Sequence, residues 1–78
     1  MRELPDEDGW LRSRQRQIGH RVQAIRQQQN LTQDALYLAA RLDRRTLQHL
    51  EAGTGNPTMA TLLRIAYVLD VPLTDLVR

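Results

Sequence analysis

The stretch LTQDALYLAARLDRRTLQHLEAG, which runs from Leu31 to Gly53, predicts two short helices separated by a tight turn. Thr32 and Asp43 each precede a helical segment, and their side chains can accept a hydrogen bond from a first-turn amide. The final glycine of the stretch is a residue that commonly ends a helix in the left-handed conformation. We therefore expect one helix from Gln33 to about Ala40 and another from Arg44 to about Ala52.

The second of these helices presents long polar side chains on one face. At about 100° per residue, its two leucines point to the opposite side and would hold the helix to a core. Arginine can bond guanine bidentately, glutamine can do the same for adenine, and the N-terminal end of a recognition helix enters the major groove. The pattern therefore indicates a DNA-reading helix, with an ordinary solvated helix face as the alternative interpretation. The polar face holds Arg44, Arg45, Gln48 and His49.

The flanking segments predict three more helices and no strand. Residues 1–9 are acidic and contain Pro5 and Gly9, so we expect a flexible N-terminal arm there. From Trp10 to about Gln28, apolar residues recur at steps of seven, four and three, as in an amphipathic helix. Gly19 lies inside this helix, where it would permit close contact with another helix. The other two helices are expected from Thr58, as a cap, to about Leu69 and from Pro72 to Val77.

Composition limits the classes of function. A chain of 78 residues suits one domain, and its 41% of hydrophobic residues include no phenylalanine, so the core must be mainly aliphatic. Without cysteine, neither a disulfide nor a thiolate zinc site can form. His20 and His49 are far apart and lack a carboxylate at ligand spacing, so we expect no metal and no cofactor. No apolar run approaches the roughly 18 residues of a transmembrane helix, and the N-terminus lacks the apolar character of a signal peptide. We therefore expect a cytoplasmic protein that joins the nucleoid when bound to DNA.

The charge is distributed unevenly along the chain. The net charge is +2, yet residues 1–11 hold one arginine against four acidic residues, whereas residues 12–52 hold eight arginines against three acidic residues. All eleven cationic side chains are arginine, whose planar fork suits phosphate and guanine edges. A GC-rich genome would also favour arginine, but it would not cluster the charge. A basic middle segment is expected of a nucleic-acid-binding protein.

Several short motifs occur in the order seen in a known family. LTQ opens the second helix, LEAG closes the third, NPT precedes the fourth, and LLRIAYVLDVPLTDL covers the fourth and fifth. In this order and spacing, residues 18–77 resemble the XRE family of helix-turn-helix proteins, which includes lambda-type repressors, Cro proteins and many bacterial regulators. The resemblance implies an all-α, compact five-helix, lambda-repressor-like domain over residues 10–78, with helices 2 and 3 as the helix-turn-helix.

The resemblance also implies roles for individual residues. Arg26 and Glu51 match an internal ion pair that joins the first helix to the end of the third. Base contacts are implied for Arg44, Arg45 and His49, with Gln48 as a further candidate. Phosphate contacts are implied for Gln33, Thr46, Gly55 and Asn56, the last two through backbone amides. Because the loop after the third helix lacks the Lys or Arg of many relatives, first-helix arginines are expected to add phosphate contacts, the candidates being Arg12, Arg14, Arg16 and Arg21.

Two residues at the turn depart from the family pattern, and a third is unusual for its place on the helix. The family usually has alanine at the position of Tyr37 and glycine, in a left-handed conformation, at the position of Arg41. A non-glycine residue in that conformation costs about 1 kcal/mol. Leu38 points away from the core on the helical wheel. We expect Tyr37 or Leu38 either to pack into the core or to be covered by the N-terminal arm or a partner.

Together these features predict a sequence-specific, double-stranded DNA-binding transcriptional regulator with residues 44–52 as its recognition helix. We expect a homodimer formed through the C-terminal helices, because the apolar residues there exceed what so short a helix needs for its own burial. The alternative is a protein-interaction module, or the antitoxin of a toxin–antitoxin pair, on the same fold. An enzyme is not expected, because neither histidine has a partner at motif spacing and no glycine-rich phosphate loop is present. The C-terminal apolar residues are Val71, Leu73, Leu76 and Val77.

Overall fold

Five α-helices and no strand make up the fold in the computed structural model, which describes residues 1–78. The prediction of an all-α, five-helix domain is confirmed. The helices are α1 (Gly9–Gln28), α2 (Gln33–Ala39), α3 (Arg44–Ala52), α4 (Met59–Leu69) and α5 (Thr74–Val77).

Three helices begin at side chains that accept a hydrogen bond from the first turn. Thr32 Oγ1 accepts from the amide of Ala35 at 3.0 Å, and Thr58 Oγ1 accepts from the amide of Thr61 at 3.1 Å. Asp43 Oδ1 does the same for the amide at the third position of α3, at 3.2 Å. Each bond satisfies an amide that has no partner within its helix, so the sequence predicts these starts correctly. At the other end of α3, Gly53 is left-handed with a φ of 77°.

The predicted start of the last helix was wrong by two residues. Helix α5 begins at Thr74, not at Pro72. The amide of Asp75 bonds the carbonyl of Pro72 at 3.0 Å, and the amide of Leu76 bonds the carbonyl of Leu73 at 2.9 Å. Because these bonds span three residues rather than four, the chain forms a tighter turn before it becomes α-helical.

The core is aliphatic, as the composition predicts, and every helix contributes to it. Helix α1 packs against α3, α4 and α5, and α2 packs against α3 and α4. The core residues are Val22, Leu36, Ala40, Leu47, Leu50, Leu62, Ile65, Ala66, Leu69 and Leu76.

The crossing of α1 and α3 depends on a glycine. A β-carbon added at Gly19 would collide with the backbone carbonyl of Leu50, and it would also lie 3.2 Å from the carbonyl oxygen of Glu51. These contacts involve backbone atoms, which cannot rotate away as a side chain can. The prediction that Gly19 permits a close helix contact is confirmed.

The C-terminal residues have less free apolar surface than the sequence suggested. Leu76 is completely buried in the core, so it is not free to bind a second copy, and the prediction was wrong for it. Val71, Leu73 and Val77 are partly buried against the same core. Leu76 is buried although its helix has only four residues, because α1 packs against α5, which the local sequence pattern could not show.

Candidate nucleic-acid interface

Helix α3 has one buried face and one exposed polar face. Leu47, Leu50 and Glu51 are buried, so they hold the helix to the rest of the domain. The four side chains predicted to contact bases all lie on the exposed face, and none of them makes a hydrogen bond within the protein. The structure therefore brings together Arg44, Arg45, Gln48 and His49 with their polar groups free.

The first turn of α3 places two positive charges where a helix does not favour them. Arg44 and Arg45 occupy the first two positions, and this turn contains no acidic residue. The N-terminal end of a helix carries partial positive charge, so a cation there is unfavourable by roughly 0.3–1 kcal/mol. The pair consequently does not stabilise the fold. A surface that binds an anion would explain its position.

Asp43, just before these arginines, is ionised and holds the start of α3. Hydrogen bonds from the side chain and the amide of Thr46 lower the pKa of Asp43 from its ordinary value of 3.8. Thr46, for which a phosphate contact is predicted, is thus bonded to a carboxylate of the protein through its amide. The phosphate contact of Thr46 stays a prediction.

A buried ion pair connects α1 to the end of α3. Arg26 Nε donates to Glu51 Oε2 at 2.8 Å, and Arg26 Nη2 donates to Glu51 Oε1 at 2.9 Å. The third guanidinium nitrogen of Arg26 donates to the carbonyl of Leu31 at 2.8 Å, just before α2. This pair is the one that the family resemblance implies. It fixes the distance between three helices at the place where α3 ends.

Gln33, at the start of α2, also belongs to this group. Its Nε2 donates to Glu51 Oε1 at 3.0 Å. A carboxamide has two N–H groups and a carbonyl oxygen, so one N–H and the oxygen remain for another partner. Gln33 is therefore held in place by Glu51 while still able to make the phosphate contact predicted for it.

The loop after α3 offers one of the two expected backbone amides. The amide of Gly55 donates to the carbonyl of His49 at 3.1 Å, so it is not free for a phosphate as the resemblance implied. This bond forms because the loop folds back over the last turn of α3, where Gly55 approaches the backbone of His49 closely. Asn56 is exposed and its amide has no partner within the protein. Asn56 and Thr46 both line a shallow cleft between α3 and the loop.

The turn between α2 and α3 shows how the two departures from the family pattern are accommodated. Arg41 is left-handed with a φ of 57°, which is the conformation that the resemblance implies for this position. Tyr37 is half-buried and packs against the core, whereas Leu38 is 67% exposed. The amide of Leu42 donates to the carbonyl of Tyr37 at 2.8 Å and closes the turn.

The family of this fold follows from its similarity to known families. A family model described as helix-turn-helix matches residues 22–76, from the core side of α1 to α5. The chain belongs to the XRE type of helix-turn-helix family. This helix-turn-helix protein is thus a DNA-binding regulator.

A solved structure shares the fold. The restriction-modification controller protein C.AhdI from Aeromonas hydrophila is 26% identical in sequence, with a TM-score of 0.80, and the match covers 82% of this chain and 97% of that chain. A comparison with curated protein sequences gives no significant match. No helix of this helix-turn-helix protein has the length and apolar character needed to cross a membrane.

The arginines of α1 do not form one phosphate-binding surface. Arg21 faces a groove between α1 and α5, and its Nη1 is buried without a hydrogen-bond partner. Arg14 donates from Nη2 to the carbonyl of Val77 at 2.6 Å, also towards α5. Arg21 therefore lies on the side of α1 that faces the C-terminal segment, and its phosphate contact stays a prediction. Among the first-helix candidates, Arg16 lies against Gly53, directly after the end of α3.

The sequence interpretation missed an exposed apolar stripe on α4. Met59, Leu63 and Tyr67 lie on the face of α4 that points away from the core. These three residues recur every four positions, and the core residues of α4 form a separate series. This pattern could have revealed the stripe from the sequence.

Proposed function

We propose that this helix-turn-helix protein is a sequence-specific transcriptional regulator that reads double-stranded DNA with α3 in the major groove. The single observation that carries the proposal is the exposed face of α3, where Arg44 and Arg45 stand together at the unfavourable end of the helix dipole. Both guanidinium groups can bond guanine O6 and N7. His49 and Gln48 follow one turn later and would contact neighbouring bases.

Phosphate contacts would set the position of α3 on the duplex. Gln33 retains one N–H for a phosphate while Glu51 holds its side chain, and Asn56 has a free amide in the loop after α3. Phosphate contacts position a protein on DNA, and base contacts supply the sequence preference. We therefore assign Gln33 and Asn56 to positioning and the α3 arginines to readout.

The proposal includes a homodimer. A helix-turn-helix dimer binds two half-sites about one helical turn apart, and its symmetry is mirrored in the operator. The likeness to C.AhdI, a controller protein of a restriction-modification system, supports a role in gene control for this chain as well. No second domain is needed for this function if DNA binding depends on protein concentration.

The experiment is an affinity selection from random double-stranded DNA at near-physiological salt. The parent is compared with an Arg44→Ala, Arg45→Ala double variant and with a control, Arg78→Ala, which removes a cation from the groove between α1 and α5. We expect the parent and control to enrich a palindromic motif containing guanine. Each α3 substitution alone should cost about 1–3 kcal/mol of binding free energy and relax the preference at one base pair.

Two results would contradict this function. If the parent enriches no motif and its weak binding vanishes as salt rises, the basic face is nonspecific. If either α3 substitution weakens binding equally for all sequences, that arginine contacts phosphate rather than a base. Because these arginines oppose the helix dipole, the double variant should unfold no more easily than the parent, which separates lost binding from lost folding.

A protein-interaction module, including an antitoxin, is the second candidate. The observation in its favour is Leu38, an apolar side chain on α2 that is 67% exposed and accessible to a partner. Co-purification of one protein in fixed proportion from the native host, combined with no enriched DNA motif, would favour it over the regulator.

A further inference from the structure

The outward face of α4 is apolar although no part of the chain covers it. We call it the α4 outer surface and define it by Met59, Ala60, Leu63, Arg64 and Tyr67. Tyr67 is 88% exposed, Met59 is 62% exposed and Leu63 is 49% exposed. A run of apolar side chains along one exposed helix face is a common mark of a binding surface. Arg64 is the only charge within it.

Two charges of opposite sign lie at this surface without partners. Arg64 is within it, and Asp70 follows at the end of the helix; both are exposed. The domain's one salt bridge joins Arg26 to Glu51, and no hydrogen bond engages either of the two side chains. Arg64 and Asp70 therefore remain available to a partner that carries the matching charges.

We propose that the occupant is a second copy of this chain, which binds through its own α4 in antiparallel orientation. In a two-fold symmetric contact, residue i of one copy meets residue j of the other and the reverse pair also forms. Arg64 and Asp70 are each three residues from Tyr67, so an axis near Tyr67 places Arg64 opposite Asp70 of the partner subunit, twice. The same register sets Leu63 opposite Val71 of the partner subunit. The two tyrosines then meet at the axis, where offset stacking is favourable.

This arrangement keeps the DNA-binding face free. The grooves on either side of Tyr67 are lined by residues 39–41 at the end of α2 and by residues 70–72 after α4, with none from α3. The exposed arginines of α3 would thus remain accessible in both copies. The inference rests on the proposed homodimer, which it deepens by naming the contact surface and its charge pairs.

The sharpest test uses two charge reversals. Arg64→Glu places acid opposite acid in its own dimer, and Asp70→Arg places base opposite base. When the two variants are mixed, both pairs in the mixed dimer become complementary. Arginine is a reasonable replacement at Asp70, whose φ is 56°, because Arg41 adopts a φ of 57° in this chain.

We expect each reversal alone to raise the dimer dissociation constant at least about tenfold and the equimolar mixture to regain dimers within about threefold of the parent. Sedimentation velocity with a fluorescent label on one variant measures the mixed species directly. If each variant dimerises like the parent, or if mixing restores nothing, the antiparallel contact is wrong.

The apolar part is tested by Tyr67→Glu, with Leu38→Glu as the matched control. Both replace an exposed apolar side chain by the same carboxylate, but Leu38 lies on α2, outside the α4 outer surface. We expect only Tyr67→Glu to weaken the dimer, by at least about tenfold, with helix content by circular dichroism equal to that of the parent. Equal loss in both variants, or in neither, would contradict the assignment.

DNA selection with the same variants separates this inference from the proposed function. A Tyr67→Glu protein that enriches single half-sites, where the parent enriches palindromes, supports both. A parent that is dimeric and enriches a palindrome while Tyr67→Glu changes nothing overturns the surface alone. A parent that stays monomeric even on its selected DNA overturns the homodimer and this surface with it.

Discussion

Arg41 occupies the turn between α2 and α3 in the left-handed backbone conformation, with a φ of 57°. This conformation brings the β-carbon of a non-glycine residue close to its own carbonyl oxygen, at a cost of about 1 kcal/mol. Arg41 is exposed and its side chain makes no hydrogen bond that would offset this cost. We therefore expect Arg41→Gly to raise the free energy of unfolding by about 0.5–1 kcal/mol in urea titrations.

Arg41→Ala provides the control for this prediction. It removes the same side chain but keeps a β-carbon, so it should leave the free energy of unfolding within about 0.5 kcal/mol of the parent. If the free energy of unfolding rises as much in the alanine variant as in the glycine variant, the effect comes from losing the charge rather than from the backbone.

At the level of single residues, the sequence predicts what depends on neighbours along the chain. The helix caps Thr32, Asp43 and Thr58 are predicted correctly, because a capping side chain bonds an amide only three residues away. The surroundings of Arg21 could not be predicted in this way, because they include α5, more than 50 residues later. Gly55 was assigned wrongly because its amide is satisfied by the fold of the loop over α3. The contacts of bases with Arg44 and Arg45 remain predictions.

At the scale of elements, the crossing of α1 and α3 requires Gly19. Alanine usually stabilises a helix interior relative to glycine by about 1 kcal/mol. At Gly19 the added β-carbon would collide with the backbone of Leu50, so α1 and α3 must move apart. We expect Gly19→Ala to lower the free energy of unfolding by about 1–3 kcal/mol, measured by urea titration.

Gly9→Ala is the matched control in the same helix. A β-carbon at Gly9 meets no atom within 4 Å, so this change should be neutral or slightly stabilising. Because α3 carries the proposed DNA-reading face, Gly19→Ala should also weaken operator binding. If both alanine variants are equally stable, the two helices do not need the close crossing.

The elements themselves were largely predictable, whereas their partners were not. Periodicity and caps predict α1 to α4 because these depend on local order. The burial of Leu76 and the exposure of Tyr67 depend on which helices pack together. A pattern of apolar residues shows that a face avoids water, but it does not show whether the same chain or a second copy covers it.

At the scale of the whole molecule, one buried group links the three helices that position the proposed DNA-binding face. Arg26 from α1 bonds Glu51 near the end of α3 through two nitrogens, and Gln33 at the start of α2 bonds the same carboxylate. Only 9% of the Arg26 side chain and 2% of the Glu51 side chain are exposed. Breaking the pair would therefore leave a buried charge without its counterion, which is much more costly than losing a surface ion pair.

This argument leads to a double-variant test. Glu51→Gln keeps the shape but removes the charge opposite Arg26, so it should lower the free energy of unfolding by about 3–5 kcal/mol. An Arg26→Met, Glu51→Met double variant removes both charges. Its free energy of unfolding should fall less than that of Glu51→Gln, because no buried ion remains. Urea titration of the parent, Arg26→Met, Glu51→Met and the double variant gives the coupling energy. A loss below about 1 kcal/mol for Glu51→Gln would mean that water or local rearrangement solvates Arg26, and that the pair does not hold the three helices together.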